Sequence, residues 1–372
     1  MLATLHRHPH ARSILAAAID EGRPSHAYLF HGPGGAGKRD AARALAAELL
    51  SEGADDRDNA RARVQTGAHP DLTWVVPSGA HEMLVSDIHE PVITAASKTP
   101  FESRRRVFVI ERVDELTDEA ANRMLKTLEE PASFVHLILL TDRLGEVLPT
   151  IRSRCQLVRF EAPSADQLAT ELEGLGIDGE TARAAVALGL QDAERARELA
   201  GEEGRGLRAA AERFARAALA ERMAEQRPWE QLLVAVRSRG DAAGAELGAQ
   251  AEAEAELTPR KERKRLEGEW TERGRRVRRR AQTGALDLVL QLVSLWFADL
   301  ACLAWGAEDL IRNGDRRDEL REDAATEGGA DPARLRIAIE LVENTRLRFA
   351  LNVSEELACE ALGYRLESAL NP

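Results

Sequence analysis

The residues with the clearest chemistry form a glycine-rich loop at 31–39, which reads His-Gly-Pro-Gly-Gly-Ala-Gly-Lys-Arg. It follows the phosphate-binding pattern of Gly, four residues, Gly and Lys, which normally continues with Ser or Thr. Glycines let backbone N–H groups surround phosphate oxygens, and the lysine would neutralise the β- and γ-phosphates. The loop indicates descent from a site for ATP or ADP, with nucleotide binding itself left open. Its candidate residues are Gly32, Pro33, Gly34, Gly35, Ala36, Gly37, Lys38 and Arg39.

The last position of this loop departs from the pattern. A hydroxyl group should hold Mg²⁺ there, and Arg39 takes its place. An arginine side chain has donors and no acceptor, so it cannot coordinate a metal. The chain is therefore built like an ATPase but lacks a part that hydrolysis needs.

A second ATPase element is an apolar strand that ends in acidic residues, and 107–110 followed by Glu111 has this form. Glu111 could hold the water shell of Mg²⁺. The next residue should polarise the attacking water, but it is Arg112, which cannot act as a base. An ordinary strand end with a surface pair is the alternative for Glu111 and Arg112. Two separate losses predict that this chain does not hydrolyse ATP at its own site.

Three further residues could face a nucleotide. Thr141 ends an apolar strand, where its hydroxyl could sense a γ-phosphate or cap the backbone. Arg154 could reach the γ-phosphate of a neighbouring subunit and stabilise transition-state charge, or it could pair with a surface carboxylate. Arg195 opens a helix and could point at a bound nucleotide or into solvent.

The composition restricts the class of protein. The 372 residues are 44% hydrophobic and 31% charged, as in globular proteins of two or three domains. Few aromatics favour helix-rich packing, and the net charge of −12 argues against a generally basic surface for nucleic acid. The spacing of the three cysteines, Cys155, Cys302 and Cys359, fits neither a disulfide framework nor a zinc site. Residues 1–10 do not have the pattern of a signal peptide. A cytoplasmic location is therefore expected.

Alternating apolar runs and helical patterns position the candidate residues. Such alternation predicts a parallel sheet with helices on both faces, which is an α/β domain at 1–162. After Pro163 the patterns are helical, and they predict a small lid domain at 163–203 and a longer helical domain at 204–372. The five apolar runs are 27–30, 72–76, 107–110, 135–141 and 157–160.

Three stretches of the helical part carry further expectations. The segment 240–256 is rich in Ala, Glu and Gly and is expected to be a loosely held connection. The basic run at 260–280 is expected to form a solvated helix, with contact to nucleic-acid phosphate as the alternative. Residues 286–305 are the most apolar, but polar residues interrupt them, which favours a buried helix over a membrane span.

Several motifs in combination resemble bacterial clamp-loader subunits of the AAA+ superfamily. They are the loop with its preceding strand at 25–33, His-Pro-Asp-Leu at 69–72, Leu-Lys-Thr-Leu-Glu-Glu-Pro at 125–131 and Ser-Arg-Cys at 153–155. The resemblance spans roughly 1–200. It implies a P-loop AAA+ domain, a helical lid and a C-terminal helical collar that packs against sister subunits.

Within this family, the altered ATP site resembles the non-hydrolysing delta-prime branch rather than the gamma/tau ATPases. The resemblance implies that Arg154 is an arginine finger acting in trans, that Thr141 is sensor 1 and that Arg195 is the lid arginine. It also implies gamma/tau-like ATPase subunits, a delta subunit and the sliding clamp as partners, with primer–template DNA contacted through the assembly. The alternatives are an active AAA+ ATPase and a DNA-binding module acting through 260–280.

The chain also departs from the family. Most members carry a four-cysteine zinc module between the loop helix and the His-Pro-Asp element. Residues 39–70 contain no cysteine, so no zinc is expected and no metal ligand is assigned.

Overall fold

A computed structural model of the chain describes residues 5, 8–78, 82–190, 192–257, 260–349 and 353–371. The chain divides into two compact units, Met1–Pro163 and Ser164–Pro372. The first unit holds the α/β fold and the second is helical. A further division of the second unit at residue 203 stays a prediction.

The first unit is built on a five-stranded sheet whose strands all run parallel, in the order β2-β3-β4-β1-β5. This confirms the predicted fold class, and the strand bounds lie within one residue of the predicted apolar runs. The strands are β1 (Ala27–His31), β2 (Leu72–Val75), β3 (Arg106–Ile110), β4 (Val135–Thr141) and β5 (Gln156–Arg159). The helices are α1 (Pro9–Asp20), α2 (Lys38–Ser51), α3 (Arg57–Thr66), α4 (Val85–Ile88), α5 (Asp118–Glu129) and α6 (Pro149–Arg152).

The central strand β4 shows why these runs form strands. Every one of its residues is buried. Side chains alternate across a strand, so Leu137 and Leu139 pack into the core on one face of the sheet. Ile138 and Leu140 pack into the core on the other face, against α1 and α2. A strand covered on both faces needs a continuous apolar run, which this segment has.

The second unit contains helices only, among the residues that the structure describes. Three short helices lie between residues 164 and 201, with breaks near Gly176 and Gly189. The helices are α7 (Ala165–Gly174), α8 (Gly179–Leu188), α9 (Ala193–Ala200), α10 (Glu202–Leu219), α11 (Met223–Gln226), α12 (Pro228–Leu257), α13 (Arg260–Ala304), α14 (Arg317–Ala324), α15 (Glu327–Ala330), α16 (Pro332–Arg348) and α17 (Glu355–Leu370). The description leaves out the side chains at 246, 249–267, 269 and 273.

The prediction of a loose connection at 240–256 was wrong, because this segment lies inside α12. Ala and Glu are strong helix formers, and packing against another helix can override the low helix propensity of the glycines. A Cβ on Gly240 would lie 2.4 Å from the Gln282 side chain of α13, so glycine permits close packing of the two helices. Asp241 of α12 also pairs with Arg278 of α13, with Nε 3.2 Å from Oδ1.

The basic run lies within α13, and three of its arginines, Arg275, Arg278 and Arg279, pair with carboxylates. Arg275 Nη1 lies 3.0 Å from Glu272 Oε1, and Arg279 Nη1 lies 2.5 Å from Glu355 Oε1. The part of the run at 260–267 lies outside the described side chains. Contact with nucleic-acid phosphate through the run stays an untested alternative to the predicted solvated helix.

The apolar part of α13 forms part of the core of the second unit. By length and composition alone, Trp270–Ala304 is the one helix among the described residues that could cross a membrane. Of its most apolar window, 67% is buried inside the fold. Val289, Val293 and Phe297 are fully buried there, as expected for a core helix.

Candidate nucleotide site and arginine finger

Three neighbouring strands bring the predicted site residues of the first unit together. Strand β1 runs into the glycine loop, β3 ends directly before Glu111 and β4 ends at Thr141. These strands lie side by side in the order β3-β4-β1 and are parallel, so their carboxyl ends meet at one edge. Ligands of open α/β sheets bind at this edge.

The loop conformation depends on its glycines. Gly32, Gly35 and Gly37 have φ values of 144°, 69° and 81°, which side chains other than hydrogen disfavour. Gly37 is the N-cap of α2, and within the described residues no side chain caps this helix. The first backbone N–H groups of α2 therefore remain able to donate hydrogen bonds to a phosphate, so the loop fits a nucleotide.

Lys38 is held across the loop. Its Nζ donates to the carbonyl oxygens of Gly32 at 2.6 Å and Pro33 at 2.5 Å. It also lies 2.7 Å from Oδ1 of Asp142, the residue after β4. The lysine thus fixes the loop, and Asp142 balances its charge.

His31, the last residue of β1, adds no charge to this edge at neutral pH. Burial lowers the pKa of its imidazole, and the nearby Arg159, His10 and Lys38 lower it further. Because His31 is neutral, the positive charge at the end of the glycine loop comes from Lys38 and Arg39.

Arg39 and Glu111 contact each other. The Nε and Nη2 atoms of Arg39 lie 2.8 Å and 2.7 Å from Glu111 Oε2. The other carboxylate oxygen accepts a hydrogen bond from Trp74 Nε1 at 2.7 Å. Glu111 is only 5% exposed, so this buried carboxylate is satisfied by two protein donors. The substituted position of the loop, Arg39, thus forms an ion pair with the retained carboxylate, Glu111.

Arg112 and Thr141 contact the turn that follows β3. Arg112 has a φ of 52°, and its Nε lies 3.1 Å from Glu115 Oε1. The Thr141 hydroxyl donates to Asp114 Oδ1 at 2.6 Å and accepts from the backbone N–H of Arg143 at 3.0 Å. The sensor role of Thr141 stays a prediction.

Arg154 follows α6 and reaches α5. Its guanidinium donates to Glu129, to the carbonyl oxygen of Thr150 at 2.9 Å and to Ser153 Oγ at 3.3 Å. Glu129 belongs to the Leu-Lys-Thr-Leu-Glu-Glu-Pro motif, so two motifs meet at this arginine. The side chain of Arg154 is 34% exposed, which leaves it accessible to a partner. Its role as a finger stays a prediction.

Arg195 lies in the second unit, near the start of α9, where its side chain donates to Gln291 of α13. Its role toward a nucleotide stays a prediction.

Three residues outside the predicted set of site residues organise this unit. Trp74 holds Glu111, and Asp142 balances Lys38. Asp71 is buried and accepts the backbone N–H groups of three successive residues at 101–103, which fixes the loop before β3. A signal for Asp142 was its place directly after Thr141 at a strand end. Nothing in the sequence marked Trp74, because its partner is far away in the chain.

Metal ligands are not apparent. In the part of the chain that the structure describes, no group of three or more His, Cys, Asp or Glu residues is arranged to hold a metal ion.

The sheet order and the glycine loop after β1 define a P-loop α/β domain. Residues 7–164 match the family described as DNA polymerase III, delta subunit. This match supports, over these residues, the resemblance to clamp-loader subunits seen in the motifs.

Two curated relatives are delta-prime subunits of DNA polymerase III. The one from Bacillus subtilis (strain 168) is 38% identical over 159 residues, covering 41% of this chain and 47% of the relative. The one from Pseudomonas aeruginosa is 34% identical over 146 residues, covering 38% and 44%. The chain thus spans about half the length of these relatives.

Other similar proteins carry different names. The DNA polymerase III subunit gamma/tau of Mycobacterium tuberculosis is 35% identical over 150 residues, covering 39% of this chain and 26% of that protein. A solved gamma subunit-related protein from Thermotoga maritima aligns over 96% of this chain and 99% of its own, at 16% identity and a TM-score of 0.44.

Proposed function

We propose that this chain is a delta-prime-type subunit of a bacterial clamp loader, acting in the cytoplasm, and that it does not hydrolyse ATP itself. The observation that carries this proposal is the ion pair between Arg39 and Glu111. A P-loop ATPase needs a hydroxyl and a carboxylate at these positions to hold Mg²⁺. Here one is absent and the other is already neutralised.

In this proposal the chain supports hydrolysis by a neighbour. Arg154 would stabilise the charge that develops on the ATP of an adjacent gamma/tau-like ATPase subunit. Its partial exposure and its place beside α5 support this role, because the guanidinium is positioned yet reachable. The assembly, with a delta subunit, would load the sliding clamp onto primer–template DNA.

The experiment compares loaders assembled with Arg154→Ala and with Arg152→Ala. Removing an arginine finger lowers kcat by about 10³–10⁵-fold in the systems where it has been measured. We expect the Arg154→Ala subunit to assemble normally and to lower DNA-stimulated ATP turnover, because the neighbouring site loses its finger. Arg152 ends α6 two residues earlier and serves as the matched control.

Equal turnover by the Arg154→Ala and wild-type loaders would show that the finger is elsewhere. A fall with both variants would point to a damaged interface instead of a lost finger.

An active gamma/tau-like ATPase is the second candidate function. The intact glycines, Lys38 and the gamma/tau relatives favour it. The purified chain alone decides between the two, because a delta-prime-type subunit should not turn over ATP with Mg²⁺. Turnover that requires Mg²⁺ and disappears with Lys38→Ala would make the chain an ATPase.

A further inference from the structure

Arg39 lies where two protein ligands of a magnesium ion would otherwise meet. One is the residue after the loop lysine, and the other is the carboxylate after β3. In this chain the first position is Arg39 and the second is Glu111. The guanidinium nitrogens of Arg39 lie 2.7–2.8 Å from Glu111 Oε2. We infer that the Arg39 guanidinium takes the place of Mg²⁺, so that a nucleoside diphosphate or triphosphate binds here without a divalent cation.

Both carboxylate oxygens of Glu111 already accept from protein donors. Arg39 contacts its Oε2, and Trp74 donates to its Oε1. Mg²⁺ loses its water reluctantly and requires oxygen ligands in octahedral geometry. Recruiting Glu111 would remove the Arg39 donors from a carboxylate that is only 5% exposed, and a buried polar group that loses its partner is costly.

The charges around the loop suit a metal-free phosphate chain. Lys38 and Arg39 are balanced by Asp142 and Glu111. The Asp142 side chain is 39% exposed and the Lys38 side chain 7%, so phosphate can displace Asp142 into water while Lys38 stays in place. The Arg39 side chain is 50% exposed, so a guanidinium face can also reach a phosphate. Mg²⁺ on the nucleotide would reduce the negative charge that both cations attract.

The test is a titration of the full chain with a fluorescent ribose-labelled ADP, once in EDTA and once in excess MgCl₂. We expect the wild-type affinity in EDTA to equal or exceed that in Mg²⁺. Arg39→Thr restores the hydroxyl and releases Glu111, so its affinity should rise by about tenfold or more when Mg²⁺ is added.

Two controls keep this test decisive. Arg57→Thr removes an exposed arginine of α3 and should behave like the wild type. Arg39→Lys keeps the positive charge and should remain independent of Mg²⁺, which covers the case that Arg39→Thr does not fold.

A gain of about threefold or more from Mg²⁺ in the wild type overturns the inference. So does a wild-type chain that binds the nucleotide in neither buffer. Neither result would contradict the proposed function, because the action of Arg154 on a neighbouring subunit does not require a nucleotide bound to this chain.

Discussion

Three arginines of the first unit have the same chemistry but different surroundings. Arg39 neutralises a buried carboxylate, Arg112 lies in a left-handed turn beside Glu115, and Arg154 is partly exposed beside Glu129. A guanidinium is always charged and only donates, so none of them can act as a base. Their side chains are 50%, 46% and 34% exposed, so the three arginines differ in the carboxylate that each contacts and not in accessibility.

At Gly32 of the loop, a side chain would overlap the backbone of a neighbouring segment. The φ of Gly32 is 144°, and a Cβ would lie 2.2 Å from the carbonyl oxygen of Phe160. We expect Gly32→Ala to lower the free energy of unfolding by about 4 kcal/mol or more, because backbone must move to relieve the overlap. Urea denaturation followed by circular dichroism measures this loss.

Gly67→Ala is the matched control for the backbone angle alone. Gly67 has a φ of 76°, and a Cβ there would meet nothing within 4 Å. It should cost about 1–2 kcal/mol, which is the penalty for a left-handed alanine. Equal losses for the two variants would show that the contact with Phe160 is not what requires glycine at position 32.

At the scale of elements, strand β4 contains a buried titratable side chain, His136. His136 Nδ1 donates to the Ser25 carbonyl oxygen at 2.9 Å, and Nε2 accepts from Arg105 at 3.3 Å. Its ring stacks on His26 with centroids 5.5 Å apart. Burial lowers the pKa of His136 to about 4, because the charged form loses its water and Nε2 faces a cation.

This predicts a loss of stability in mild acid. The unfolded state takes up the proton near the ordinary histidine pKa of about 6.5, whereas the folded state takes it up near 4. Between these values the unfolded state binds more protons, so the free energy of unfolding falls as pH falls. The contribution of His136 is about 3 kcal/mol over this window. Denaturation midpoints from pH 7 to 4 measure it.

His136→Gln is the matched variant, because glutamine is polar but does not titrate. Its free energy of unfolding should depend less on pH between 6.5 and 4 than that of the wild type. If both proteins show the same slope, other groups cause the acid sensitivity.

At the scale of the whole molecule, each unit has its own core. The sheet of the first unit is covered by two apolar layers drawn from residues 5–160. We expect a fragment of residues 1–163 to unfold cooperatively by itself, since its sheet and both layers are complete. Thermal unfolding followed by circular dichroism tests this.

A fragment of residues 1–150 is the control for that experiment. It lacks β5, which pairs with β1, and it loses Phe160 from the core. This fragment should not unfold cooperatively. Failure of the longer fragment to fold would mean that the first unit depends on the second.

Much of the first unit followed from local sequence. The strands were predictable because β1, β3 and β4 are buried on both faces and therefore read as continuous apolar runs. The loop was predictable because its glycines and Lys38 follow one another directly. The helical state of 240–256 was not predictable, because the packing of Gln282 and Arg278 of α13 against Gly240 and Gly244 cannot be seen in the local sequence.

The pairing of Arg39 with Glu111 was decided by tertiary structure. From sequence, Arg39 is a lost metal ligand and Glu111 is a retained carboxylate, and the two lie 72 residues apart. Only the parallel order of the sheet brings the end of β3 close to the loop after β1, and only burial makes the carboxylate need a cation. The sequence by itself determined which chemical groups are present. Their adjacency, and hence the replacement of a metal by a side chain, depends on strand order that no local pattern encodes.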